Sequence, residues 1–177
     1  MIVKVKKKQG NSHDCIICGM DNPNGVKAAF YSMEDNRCAA TLRFGRFHQS
    51  YPSRTHGGMI TALLDEAIGR ALWVHDDNLW GVTMKINVEF HAPVPYEEDL
   101  ICVSEITKRT KMFFDGVAEL YDKNEKLLAR AYATYIIIPL EKAAQEDNIH
   151  PSDVNVMVDD DVKELDLPEL KATRKLD

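Results

Sequence analysis

Between Gly58 and Val74 the apolar residues recur at helical spacing. At about 100° per residue, Ile60, Leu63, Leu64, Ala67, Ile68, Ala71 and Val74 form one broad stripe that must pack on a sheet. A helix is therefore expected over Thr55–Trp73, with Thr55 as its N-cap. Downstream, Val82, Met84, Ile86, Val88 and Phe90 alternate with Thr83, Lys85, Asn87 and Glu89, the period of a half-buried strand. Further strands are expected over Leu100–Thr107, Phe113–Tyr121 and Lys126–Ile138, the last two joined at Asp122-Lys123-Asn124-Glu125. Upstream, Lys27–Met33 and Arg37–Phe44 read as a hairpin turning at Glu34-Asp35-Asn36. Strands, one long helix and more strands define an α+β domain, the helix covering one face of an antiparallel sheet.

The helix has an unusual entrance. Gly57 and Gly58 cost helix stability in the first turn, so a close approach to the backbone is expected there. A helix N-terminus offers unpaired N–H groups and the positive end of the macrodipole, which suit an anion or a carbonyl oxygen that gains charge during reaction. Asp65 falls nearly opposite the centre of the apolar stripe, beside Thr61, Ala62 and Gly69, whose small size leaves room next to its carboxylate. His56 and Asp65 are nine residues apart, about 13 Å of rise and on opposite sides of the helix. The two cannot meet one small group within a single chain. If both act, the partner of Asp65 is the helix entrance of a second subunit. The alternative for Asp65 is a solvated helix residue, and Glu66 with Arg70 reads as a surface i, i+4 ion pair.

Composition narrows the classes. The chain has 177 residues and a net charge of −6. It shows no dense basic patch, which argues against nucleic acid as the main partner. No apolar run approaches the ~20 residues needed to span a membrane. The basic start lacks the apolar stretch of a signal peptide, so a cytoplasmic protein is expected. Residues 1–14 read as a flexible basic arm, 15–140 as the folded domain, and 141–177 as an acidic polar tail, disordered or docked as a short element. Val154, Val156 and Val158 alternate in that tail before the charge block Asp159–Asp161. Cysteines at 15, 18, 38 and 102 are expected as free thiols. Cys15-x-x-Cys18 is half of a zinc site, which His13 and Cys38 could complete. No second C-x-x-C follows, so partly buried thiols and no metal are expected.

The pattern His56-Gly57-Gly58 followed by Leu64-Asp65-Glu66-Ala67, between an N-terminal hairpin and a long meander, resembles the PaaI-like acyl-CoA thioesterases of the hotdog-fold superfamily. Cys15-x-x-Cys18-Gly19-x-x-Asn22-Pro23-x-Gly25 and Gln49-Ser50-Tyr51-Pro52 look like one branch of that family. The resemblance covers about Cys15 to Pro139. It implies a sheet of five to six strands wrapped around the helix, and a homodimer, often a dimer of dimers, with the active site at the interface. It also implies that the Gly57 N–H, with Gly58, polarises a thioester carbonyl. His56 would orient that turn or contact the substrate, and Asp65 of the other subunit would act as general base or nucleophile. Gln49 is the upstream amide that would help hold the water or thioester.

No cofactor is implied beyond the coenzyme A thioester, which is substrate. Its phosphates call for a basic rim, for which Lys108, Arg109 and Lys111 are candidates, or else they form a solvated hairpin end. Met59, Leu63, Trp80, Met84 and Phe113 are candidate walls of the acyl slot, or plain core. The competing reading is a non-catalytic hotdog module that binds an acyl thioester as sensor or scaffold. A hotdog hydratase would need a different acid/base set, which the chain does not show.

Overall fold

The computed structural model describes residues 1–147, 156–158 and 160–172. Val154 and Asp159 lie outside the described residues, and with them parts of the expected tail alternation and charge block. The expected α+β architecture is present: one antiparallel sheet wraps around one central helix. The strands are β1 (Ile2–Lys8), β2 (Ala29–Met33), β3 (Cys38–Leu42), β4 (Leu79–Phe90), β5 (Leu100–Arg109), β6 (Phe113–Asp122), β7 (Leu127–Pro139) and β8 (Glu164–Asp166). Their order across the sheet is β4-β7-β6-β5-β3-β2-β1-β8. The central helix α1 spans Gly57–Ala71 and runs on into a 3-10 turn over Leu72–Val74. A second helix, α2, spans Leu140–Asp147.

The periodic stripe of α1 is the buried one. Ile60, Leu63, Leu64, Ala67, Ile68 and Ala71 are all inaccessible, and Val74 is buried in the 3-10 turn. They meet Phe30, Ala40, Cys102, Phe114, Ala118, Leu120, Ala131 and Ala133 from the concave face of the sheet. Small residues on the middle strands let the helix sit close. At Gly116 of β6 the approach is tightest: a Cβ there would stand 2.5 Å from Ile68 Cγ2 and 3.1 Å from the Glu105 carbonyl.

Both chain ends depart from expectation. Residues 2–8 are not a loose arm. Val3 and Val5 alternate with lysines, and β1 pairs with β2 on one side and β8 on the other. The tail supplies that second partner, and its Leu167 is fully buried with Val3, Tyr31, Met33, Ala39 and Val103 in a second core on the outer face of the sheet. The sheet therefore has eight strands rather than five or six, because the two ends extend it together.

The opposite edge is open. Among the described residues β4 has no strand neighbour but β7, with a bulge at Met84 between Thr83 and Lys85. Ile86 and Val88 reach the core, but Val82, Met84 and Phe90 are about half exposed. The strict alternation predicted one buried face; in this single chain much of that face lies bare.

Gly116→Ala is expected to destabilise the fold by about 1–3 kcal/mol, because the Ile68 methyl and a strand carbonyl leave no room for the added carbon. Urea unfolding of the two proteins measures it.

Candidate active site

The helix entrance is capped by His56, not Thr55. His56 has an extended backbone (φ −65°, ψ 134°), and its Nδ1 accepts the Gly58 N–H at 2.9 Å. Thr55 is spent elsewhere: its N–H donates to the Val94 carbonyl and its hydroxyl to the Pro95 carbonyl. The cap fixes the imidazole tautomer, since an accepting Nδ1 leaves the proton on Nε2. It also separates the two glycines. The Gly58 N–H is occupied, and the next two amides, of Met59 and Ile60, donate to the His56 carbonyl. The Gly57 N–H has no partner among the described residues.

Gly57 opens on a groove of about 450 Å³ lined by Tyr51, Arg54, Ile60, Phe90, His91 and Val94, among others. The Phe90 ring lies 3.4 Å from where a Gly57 Cβ would stand. Gln49 is exposed, and its backbone bridges to Thr55, which puts it beside the entrance.

Asp65 lies in the middle of the helix and is partly exposed. Its Oδ1 accepts from the Thr83 hydroxyl at 2.8 Å and from the Tyr135 hydroxyl at 2.7 Å. Oδ2 is bonded to none of the described residues. Burial, and then the Asp65 charge, push the Tyr135 hydroxyl well above its ordinary value, so it stays a donor. The carboxylate borders a cavity of about 250 Å³ shared with Cys15, Cys18, Glu66, Arg70, Trp80 and Thr83. The indole N–H of Trp80 is buried there without a partner among the described residues. This cavity and the Gly57 groove share no lining residue. Within one chain the structure does not bring Gly57 and Asp65 together, as the helix geometry requires. Both openings lie along β4: Trp80, Gly81 and Thr83 border one, and Phe90 the other.

Lys108, Arg109 and Lys111 are exposed and border neither opening. Burial, followed by the nearby Arg109 charge, lowers the His75 pKa, so Arg109 lies toward the C-terminal end of α1, about 20 Å of helix away from Gly57. Met59 packs partly against the core, and Met84 is exposed on the open edge.

Glu66 and Arg70 do pair, at 2.8 Å, but not at the surface. Arg70 is buried between the rings of Phe30 and Trp73 and also donates to the Gly10 carbonyl and to Cys18 Sγ. Burial opposes its charge, and the Glu66 carboxylate overrides that and keeps it protonated. Neither His13, paired with Asp21, nor the fully buried Cys38 joins Cys15 and Cys18; Glu66 does. Spacing could not show this, because Glu66 lies 51 residues from Cys15 in the chain.

A helix threaded through a wrapped antiparallel sheet is the hotdog fold. A family model described as "Thioesterase superfamily" matches residues 53–129, from just before the helix entrance to the start of β7. The mouse (Mus musculus) acyl-coenzyme A thioesterase THEM5 is 21% identical over 119 residues, 66% of this chain and 47% of its own, so the chain spans about half the length of that relative. A crystal structure described as a thioesterase superfamily protein superposes with a TM-score of 0.64 at 19% identity, covering 71% of this chain and 60% of that one. The E. coli PaaI protein from the phenylacetic acid degradation operon gives a TM-score of 0.58 at 18% identity, covering 64% and 80%. The PaaI-like resemblance read from the His-Gly-Gly and Leu-Asp-Glu-Ala residues stands. No helix among the described residues is long and apolar enough to cross a membrane.

His56→Ala is expected to lose about 1 kcal/mol of stability through the missing cap, and His56→Asn to recover most of it, since asparagine caps as well. Chemical denaturation of the three proteins checks this.

Proposed function

We propose that this protein hydrolyses an acyl-CoA thioester to the free acid and coenzyme A, in a site built by two protomers. The observation that carries the reading is complementary incompleteness. One chain offers a Gly57 N–H at a positive helix end and a carboxylate oxygen, Asp65 Oδ2, neither bonded to any of the described residues, in openings that share no lining residue. Pairing two β4 strands about a two-fold axis would bring the openings together. In an antiparallel pair the Phe90 end of one strand lies against the Trp80–Thr83 end of its twin, and the half-exposed Val82, Met84 and Phe90 become covered.

In such a site the thioester carbonyl accepts the Gly57 N–H, with the helix dipole adding to the field as the oxygen gains charge. Gly58 contributes through the cap rather than through its own N–H. Asp65 of the twin takes a proton from water as that water attacks, or attacks the carbonyl carbon itself. Thr83 and Tyr135 hold Oδ1 and leave Oδ2 to react. The tetrahedral intermediate then expels the coenzyme A thiolate, giving the free acid directly when water attacks; when Asp65 attacks, the acyl-aspartyl anhydride left behind is hydrolysed by water, which releases the acid and restores the carboxylate. Gln49 stands beside the entrance, placed to steady water or substrate. Lys108, Arg109 and Lys111 of one subunit are remote from its own groove, so any phosphate contact they make is to substrate bound at the Asp65 end.

The coenzyme A thiol released from a panel of acyl-CoA esters measures the activity. Asp65→Asn should lower turnover by about 10²–10⁴ while unfolding at the wild-type denaturant concentration. Unchanged turnover removes Asp65 from the reaction, and binding without turnover in the wild type supports the non-catalytic module instead.

Gly57→Pro isolates the amide. Proline is well suited to the first helical position, and the extended His56 backbone accepts a following proline. The variant should fold and lose about 10²–10³ in kcat, with wild-type rates contradicting the role of the Gly57 N–H.

A further inference from the structure

We propose that Cys15, Cys18 and Glu66 form a binding site for a soft divalent metal ion of the zinc class, independent of the thioesterase reading. Cys15 Sγ, Cys18 Sγ and a Glu66 carboxylate oxygen all lie within 4.8 Å of one another. Cys15 Sγ is 3.7 Å from Glu66 Oε2. A tetrahedral zinc ion with a thiolate at ~2.3 Å and a carboxylate at ~2.0 Å sets those two atoms about 3.5 Å apart. The Cys15–Glu66 pair is within a few tenths of an ångström of that separation.

The backbone is already shaped for a thiolate. The Ile17 and Cys18 N–H groups point at Cys15 Sγ, at 3.3 and 3.4 Å. The Gly19 N–H closes the turn on the Cys15 carbonyl at 2.8 Å. A side chain at position 19 would put its Cβ 2.3 Å from that carbonyl, so the tight turn admits only glycine. Two backbone donors on one sulfur, in a turn that brings a second sulfur alongside, serve a charged ligand atom better than a neutral thiol.

Arg70 orients the set without taking the ion's place. Its Nε holds Glu66 Oε1 at 2.8 Å, which leaves Oε2 turned toward Cys15. Its Nη2 donates to Cys18 Sγ at 3.0 Å. Outer partners of this kind fix metal ligands in position. The charges also balance, because two thiolates and a carboxylate are neutralised by a divalent ion together with the Arg70 guanidinium. A Cys15–Cys18 disulfide would instead remove the thiol that donates to Glu66 Oε2 and weaken the sulfur that accepts from Arg70 Nη2. The ion would fasten the segment around Cys15 to the middle of α1, with three protein ligands and its fourth position toward the cavity that Asp65 borders.

The full chain, expressed in zinc-supplemented medium and purified without chelator, should carry about one zinc per chain by elemental analysis. Cobalt added to the stripped protein should give the thiolate-to-metal absorption and the strong visible bands of a tetrahedral site. Cys18→Ser and Glu66→Gln should each lower metal affinity at least tenfold. Cys102→Ser, in the core and away from the cluster, should leave it unchanged. Because Glu66→Gln leaves the buried Arg70 unbalanced, the cobalt spectrum of the wild-type chain stands as a measurement that needs no variant. Wild-type protein that takes up neither zinc nor cobalt, or that purifies as a Cys15–Cys18 disulfide two mass units light, overturns the proposal.

Discussion

The rotation of α1 inside the sheet is the constraint on which the other features depend. Seven apolar positions, from Ile60 to Val74, settle which face of the helix and the 3-10 turn behind it is buried. Each large aliphatic side chain among them gains roughly 1.5–3 kcal/mol from leaving water, so no competing rotation is close in energy. Once that face is set, the direction of Asp65 is set too: it emerges beside β4 and β7, where Thr83 and Tyr135 meet it. The same burial fixes the entrance at the far end of the helix, where the Gly57 amide faces its own groove. Hydrophobic packing thus places the two polar groups and keeps them apart within one chain.

A second, polar arrangement sits behind that packing. Arg70 is buried on the face next to the stripe, between two aromatic rings, and joins Glu66, Gly10 and Cys18. A buried guanidinium is tolerated only when its donors are matched, and here a carboxylate, a carbonyl and a sulfur match them. The network links the Cys15–Cys18 turn to the helix and forms one wall of the cavity beside Asp65. Tyr135 joins the two levels: it stacks on Phe114 in the core and donates from its hydroxyl to Asp65.

The helix, the meander and the opposition of His56 and Asp65 could be read along the chain, because periods of 3.6 and 2 record which residues leave water. Other features have no local signal. Histidine is not among the preferred caps, so the sequence favours Thr55, whereas the Gly58 N–H donates to the His56 imidazole. Lysines hide the two valines of β1, and its partner β8 lies more than 150 residues away in the chain. The burial of Arg70 depends on Phe30 and Gly10, which the helix pattern does not mention. The i, i+4 spacing marks Glu66 as the partner of Arg70, but nothing local marks its second oxygen, which turns to Cys15.

In the proposed dimer the amide of one protomer serves the carboxylate of another. Subunit mixing tests that most directly: Gly57→Pro and Asp65→Asn chains are unfolded together, refolded, and assayed for acyl-CoA hydrolysis. In a mixed dimer one site combines the intact Gly57 of one chain with the intact Asp65 of the other. The shared-site account predicts activity recovering to about a quarter of wild type at equal amounts, from two parents that are each nearly inactive. A mixture no more active than its parents, with mixed dimers demonstrated, would contradict it.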